Sequence, residues 1–397
     1  MKLFIVKEYE TSTPDGVPVF DLSSKELQHC TGCWSCWWGP TPGRCVHKDL
    51  DEFYRGYLEA DTVRFYCKVS QGFITSNMKA LIDRIILIVL PYVSYPNGES
   101  LHDPRYSKYP SVEVIYQGEF LPNEEDAFVA YWERTMEMLF APSFAATRDV
   151  GSVDIVEEKL DSAISRRMTR VQNDEVGEKG ARTLIINGSP NGRKGNTEVI
   201  CQQFINGMET PTEMRYVAED DVAILATYME SFDCILFFFP LYVNAMPGIV
   251  KRLFEHMRPD ENKSVGYFIQ SGFEEAFQSD WLLAILRNFN IRMGYIDLGI
   301  VVAGGMGGVR FMSEKMSNSK AVAKLFARLK RAGELYEQVG VFDHESIQQF
   351  GQPYRFSEKE VKQGRVLRKF GVTKIPWVLM LRKNKAYRKR LDKPFGV

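Results

Sequence analysis

Two short stretches carry the residue types that do chemistry. Residues 187 to 197 read NGSPNGRKGNT and follow the apolar run Thr183 to Ile186. A turn after such a strand, leading into a helix, points backbone N–H groups and the positive end of the helix dipole at one spot, which suits a phosphate dianion. Gly188 and Gly195 let the backbone approach closely, and Ser189, Asn196 and Thr197 add side-chain donors. The loop lacks the Gly-Lys-Ser/Thr of ATP-type phosphate loops and the Gly-x-Gly-x-x-Gly of dinucleotide loops. An ordinary surface turn with a helix cap is the plain alternative. The second stretch, CTGCWSCWWGPTPGRC, spaces Cys30, Cys33, Cys36 and Cys45 as C-x2-C-x2-C-x8-C. That spacing is close to the compact sets that hold a [4Fe-4S] centre, with a long last gap. Four thiolates also suit zinc, although structural zinc more often uses two separated knuckles.

The bulk properties constrain what these stretches serve. A chain of 397 residues, 45% apolar, is long enough for two domains with sizeable cores. Its formal charge of -1 gives no general reason to expect nucleic acid as a partner. The charge is uneven: residues 345 to 397 hold fourteen Lys and Arg against four Asp and Glu. No basic start with an apolar h-region opens the chain, and the longest apolar run, Ile85 to Val93, is interrupted by Pro91 and too short for a bilayer. A cytoplasmic protein is expected. Seven cysteines, four of them clustered, suit reduced or ligated thiols better than a disulfide framework.

Strands alternating with helices must position the loop. After Thr183 to Ile186 come a helix over Asn196 to Met208, a continuously apolar strand over Asp233 to Phe239, a Pro-Gly loop with a helix, and a strand over Ser264 to Gln270. A helix through Trp281 to Phe289, a strand over Ile296 to Val302, a GGMGG turn and a helix over Ser319 to Val339 complete the series. This order predicts an α/β fold with a doubly wound parallel sheet. The first half echoes it. DTVRFYCKVSQGFITSNMKALIDRI from Asp61 aligns without gaps to DCILFFFPLYVNAMPGIVKRLFEHM from Asp233, setting Lys79 over Lys251 and Asp83 over Glu255. Between strands at Leu3 to Val6 and Val17 to Leu22 there is too little chain for the usual crossover helix, so the first copy is degenerate and has no phosphate loop. The expected domains are 1–150 with the Cys/Trp segment, a linker over 151–180, 181–344, and a basic tail over 345–397.

NGSPNGRKGNT, PLYVNAMPGIVKRLFEHM and QSGFEEA together resemble the flavodoxin-fold NAD(P)H-dependent FMN reductases and quinone reductases. The resemblance covers most of 181–339, and the first half resembles the same family as a tandem copy without its first crossover. It implies two flavodoxin-like domains, FMN as cofactor, and NADH or NADPH as co-substrate. The flavin phosphate maps to Ser189, Pro190, Asn191, Gly195, Asn196 and Thr197. The ring maps to Pro240, Leu241, Tyr242, Asn244 and Met246, with Ser271, Gly272 and Phe273 by its pyrimidine edge. The family's frequent Asp-Arg survives as Asp83-Arg84 but reads Glu255-His256 in the second half, and His256 is read as structural.

Hydride transfer to a flavin needs stacking more than acid/base groups, so no catalytic residue is assigned. The expected acceptor is a flat molecule: a quinone, a nitro- or azo-aromatic, or free flavin. A similar cysteine segment in the family implies a metal-free flap, with Trp34, Trp37 and Trp38 roofing a flavin bound in the other half. The halves then form a monomeric pseudo-dimer with one composite site, or the chain is a homodimer. An iron-sulfur flavoprotein carrying electrons through Cys30, Cys33, Cys36 and Cys45, and a non-catalytic scaffold, are the alternatives. For the tail, where Ile375, Trp377, Val378, Met380 and Leu381 lie among Lys and Arg, docking on the acidic body is expected over a membrane-surface helix.

Overall fold

The computed structural model describes residues 2–149 and 182–396; the expected linker over 151–180 lies outside them. Thirteen strands occur among the described residues: β1 (Leu3–Lys7), β2 (Val19–Asp21), β3 (Thr62–Ser70), β4 (Phe73–Ile74), β5 (Val89–Ser94), β6 (Leu101–Pro104), β7 (Ser111–Gln117), β8 (Phe144–Arg148), β9 (Thr183–Asn187), β10 (Glu213–Tyr216), β11 (Cys234–Pro240), β12 (Ser264–Gln270) and β13 (Ile296–Ala303). The first half builds a parallel sheet in the order β2-β1-β3-β7-β8, and the second a parallel sheet in the order β10-β9-β11-β12-β13. Both are the 2-1-3-4-5 order of flavodoxin-like folds. The chain is therefore two flavodoxin-like doubly wound domains. The first is degenerate, because β1 passes to β2 with no helix between them.

The sequence reading misses the edge strand β10, whose residues EMRY include two charges and are half-buried except for Tyr216, and the helix Val222–Met229 after it. It also misses the hairpin of β5 and β6, which stands apart from both sheets.

The missing crossover helix has a physical consequence. In the second sheet β11 and β12 are buried along their whole length, and the helices Asn196–Ile205 and Lys320–Val339 pack on one face. In the first sheet β7 alternates buried and half-buried residues, and Arg64 pairs with Glu113 at 2.7 Å on the thinly covered face. Only Ile5, Tyr9 and Tyr66 form a buried cluster there among the described residues. A sheet wet on one face reads as alternation, and a sheet covered on both as an apolar run.

The two halves share one core. Helix Ser76–Arg84 packs on helix Gly248–His256, and helix Glu124–Met138 on helix Asp280–Met293. The polar contacts across the first pair come in twos. Lys79 Nζ donates to the Tyr242 carbonyl at 2.8 Å, and Lys251 Nζ to the Ser70 carbonyl at 3.0 Å. Gly248 N donates to Asp83 Oδ2 at 2.7 Å, and Ser76 N to Glu255 Oε1 at 2.9 Å. Each pair is related by the register in which Asp61 aligns with Asp233. The hairpin of Ser70 and Phe73 likewise matches the bridge of Tyr242 and Ala245. An isologous interface has this self-complementary form.

Candidate functional site

At the carboxyl end of the second sheet, three loops open onto one cleft, where ligands bind in open α/β sheets. After β9, Asn187 is buried; its Oδ1 accepts from Ser189 N at 3.0 Å and its Nδ2 donates to Glu198 at 3.0 Å, shaping the turn. Gly188 is held so close to Val250 that a Cβ would come within 2.6 Å of it. Ser189 Oγ accepts from Asn191 N at 3.3 Å, and a Cβ on Gly195 would meet that hydroxyl at 2.6 Å. The ten-residue helix Asn196–Ile205 then starts with glycine at its N-cap and no capping side chain. Its first N–H groups are left for an external acceptor.

Ser189, Asn191, Gly195 and Asn196 line the cleft from this loop, Pro240 from the end of β11 with Leu241 and Tyr242 from the loop after it, and Gln270 from the end of β12 with Gly272 just beyond. Thr197 lies just behind, its Oγ1 accepting from Gln270 Nε2 at 3.5 Å. Leu241 N is tied to the Gln270 carbonyl at 2.7 Å, so the second and third loops are braced together. Ser271 spends its N–H on Ala303 and its hydroxyl on the Phe273 carbonyl. Gly272 is exposed, with nothing within 4 Å of where a Cβ would stand.

Several residues assigned from sequence are turned elsewhere. Asn244, at φ +62, directs its amide to Thr135 Oγ1 of the first half at 3.1 Å, and Met246 is buried in the shared core. Phe273 packs its ring on His102 at 5.0 Å and does not line the cleft. Asn196 lines the cleft with its backbone neighbours, but its side chain is held by the Gly307 carbonyl and Arg310 N. Pro190 is half-buried in the turn. Among the described residues, exposed His256 bonds to its own helix, through the Arg252 carbonyl at 2.8 Å. Sequence reading missed Asn187, Gln270 and Gly307. The GGMGG segment is a turn as read, with Gly305 left-handed, but it folds back so that Gly307 joins the cleft wall.

The fourth wall comes from the other half. Gly32 and Trp34 of the cysteine segment line the cleft. Gly32 has φ +64, and a Cβ there would sit 2.5 Å from Tyr242 Oη. Burial pushes the Tyr242 phenol well above its usual range, so it stays protonated. Arg84 clamps both ends of the segment: it donates to the Gln28 carbonyl at 3.0 Å and the His47 carbonyl at 3.2 Å, and pairs with Asp49. Trp34 stacks on Trp38 at 5.3 Å and on Trp377 of the C-terminal arm at 5.5 Å. Trp37 meets His102 at 4.7 Å, and burial holds that imidazole neutral by lowering its pKa to about 4.

All four cysteines of the segment are free thiols. Burial pushes Cys30 up to about 12 and Cys36 higher, each further raised by the other thiols nearby. Burial opposes ionisation of Cys33 too, yet the hydroxyl and N–H of Ser35 hold it below the ordinary thiol range. Among the described residues no three His, Cys, Asp or Glu side chains converge to hold a metal ion. The four thiols are neighbours without forming a coordination shell.

No family model matches the chain. An iron-sulfur flavoprotein of Archaeoglobus fulgidus is 34% identical over 120 residues, which is 30% of this chain and 48% of that protein. The chain thus spans about half the length of the curated relative it matches. Among solved structures, Trp repressor binding protein from Bacillus subtilis is similar at 18% identity, covering 37% of this chain and 96% of that one with a TM-score of 0.29. NAD(P)H:quinone oxidoreductase from Methanothermobacter marburgensis is similar at 12% identity, covering 39% and 95% with a TM-score of 0.30. An FMN-dependent NADH-azoreductase from Bacillus anthracis in complex with FMN is similar at 12% identity, covering 39% and 99% with a TM-score of 0.29.

Proposed function

We propose that the chain is an FMN-dependent oxidoreductase that accepts reducing equivalents from NADH or NADPH and passes them to a flat acceptor such as a quinone, a nitro- or azo-aromatic, or free flavin. The observation that carries this reading is the convergence on one cleft of an uncapped helix N-terminus, a Pro-Leu-Tyr wall and an open glycine turn. Those residues fit FMN. Ser189, Thr197 and the first N–H groups of helix Asn196–Ile205 would hold its phosphate. Leu241 and Tyr242 would support its ring, with Trp34 on the cleft wall contributed by the other half. When bound, the flavin supplies two-electron redox chemistry.

The chain's own residues position and shield. The N–H groups of Gly272 and Phe273 have no backbone partner among the described residues, and such donors stabilise negative charge without a titrating side chain. Lys79 fixes the Tyr242 carbonyl, and so the ring loop, from the other half. The Trp34 wall limits water and selects planar molecules. In this reading the domains are 1–150 and 181–344, related by tandem duplication, with 345–397 as an arm and one composite site per chain.

The test is the absorption spectrum of the pure protein, with the released flavin identified. The double variant Ser189→Ala/Thr197→Val is expected to weaken FMN binding by roughly tenfold to a hundredfold, about 1.4–2.7 kcal/mol, at unchanged melting temperature. Unchanged affinity would remove the phosphate assignment. Gly32→Ala must displace the segment from Tyr242 and strain a left-handed backbone. It is expected to raise the FMN dissociation rate several-fold, read as recovery of flavin fluorescence on dilution, with little change in the association rate.

A second reading is favoured by the Archaeoglobus fulgidus relative: an iron-sulfur flavoprotein that carries electrons through a cluster on Cys30, Cys33, Cys36 and Cys45. The four thiols are free and do not form a coordination shell as placed. Broad visible absorption with acid-labile sulfide in anaerobically purified protein would establish it.

A further inference from the structure

Among the described residues, one face of the C-terminal arm has no partner. Helices Glu358–Lys369 and Ile375–Lys383 pack on the first domain through Val361, Trp377 and Leu381. Gly364 fits against Tyr95, Arg368 pairs with Asp103 at 2.8 Å, and Asn384 donates to the Trp38 carbonyl at 2.7 Å. At 100° per residue, Ile375 and Leu379 lie on the side of their helix opposite Trp377 and Leu381, flanked by Arg382 and Lys383. Phe370, Ile375 and Leu379 are 76%, 53% and 59% exposed, and Val366, Leu367 and Val372 are exposed beside them. No other stretch of the described chain gathers so many exposed large apolar side chains.

Most of the charge on this arm is also exposed. Residues 358 to 393 carry thirteen Lys and Arg against three Asp and Glu. Among the described residues, Arg368 alone of these thirteen forms an ion pair with the body. The arm therefore docks by packing, by hydrogen bonds such as Arg365 to the Tyr95 carbonyl and by Lys374 over the Tyr92 ring, while Arg368, Lys374 and Arg390 are half-buried and the other ten cations are exposed.

We propose that this outward face is a docking surface for an anionic lipid bilayer. Apolar tips alternating with long cationic side chains on a helix match the boundary of a bilayer, where the tips enter the acyl region and the cations meet phosphate. Self-pairing of the same face would set cation against cation. No helix among the described residues is long and apolar enough to cross a membrane, so the association is peripheral. The surface lies on the back of the arm that stacks Trp377 on Trp34, and the proposal stands whether or not the cleft binds flavin.

The test is co-sedimentation of the full chain with phosphatidylcholine vesicles, with and without roughly one-third phosphatidylglycerol. Binding is expected only with the anionic vesicles, and is expected to fall several-fold between about 0.1 M and about 0.5 M salt. Phe370→Ser/Leu379→Ser and Lys369→Glu/Lys383→Glu are each expected to reduce it at least about fivefold while the melting temperature and cleft ligand binding stay unchanged. No sedimentation, equal binding to neutral vesicles, or variants that bind like the parent would overturn the proposal. So would concentration-dependent self-association abolished by Phe370→Ser/Leu379→Ser in the absence of vesicle binding, which would make a second copy the occupant.

Discussion

Lys79→Met is expected to lower the stability of the chain by about 3–5 kcal/mol, read as a shift of the denaturation midpoint. Lys79 and Asp83 are an ion pair one helical turn apart, both fully buried between the two domains. Burial pushes the Asp83 carboxyl up and the Lys79 ammonium down, so each depends on the other to remain charged. Removing the lysine strands a carboxylate whose remaining donor is Gly248 N. Lys79→Met/Asp83→Leu removes both charges and is expected to recover much of the loss. The mirror-related Lys251→Met should cost less, because its partner Glu255 is 19% exposed and can be solvated. A loss below about 1 kcal/mol for Lys79→Met would mean that the shared core alone holds the halves together.

Glu8→Gln is expected to stabilise the chain at alkaline pH by up to about 3 kcal/mol and to have little effect near pH 5. Glu8 N donates to the Tyr66 carbonyl as Gly188 N donates to the Phe238 carbonyl, so a buried carboxyl stands where the second domain has its close-approach glycine. Burial raises the Glu8 carboxyl from 4.5 to about 7, although Thr75 and Lys68 N donate to it and work the other way. The native state then holds a proton between pH 4.5 and 7 that the unfolded chain has released, so stability falls as pH rises through this window. Glutamine cannot ionise and removes that dependence. Melting temperatures of the parent and the variant should diverge from pH 5 to about 7 and then level off towards pH 8. A constant difference across the range would mean that Glu8 does not titrate there. In the proposed reading the exchange also bears on function, since an ionised Glu8 would repel a phosphate and so disfavour a second site in the first domain.

Much of this was legible in the sequence because it depends on local periodicity. Cys234–Pro240 and Ser264–Gln270 are apolar throughout and so announce strands buried on both faces. The short span between β1 and β2 excludes a crossover helix by length alone. The gapless register from Asp61 to Asp233 anticipated which residues would mirror each other across the interface. What sequence could not deliver depends on packing between distant segments. Asn244 has the composition of a ring-loop residue, but a left-handed backbone sends its amide to Thr135. Gly307 belongs to a turn with no ligand motif and reaches the cleft because the chain folds back on helix Asn196–Ile205. The tail contains both Trp377 and Leu379, and only the docked helix separates the inward one from the outward one.

In the proposed function a single composite cofactor cleft is built by the loops of the second domain and walled by the cysteine segment of the first. Titration of the flavin-stripped full chain with FMN, followed by isothermal calorimetry and quenching of tryptophan fluorescence, tests it most directly. Saturation at one FMN per chain, with quenching that is reduced in Trp34→Leu, is the predicted result. Saturation at two per chain, or no binding at all, would contradict it.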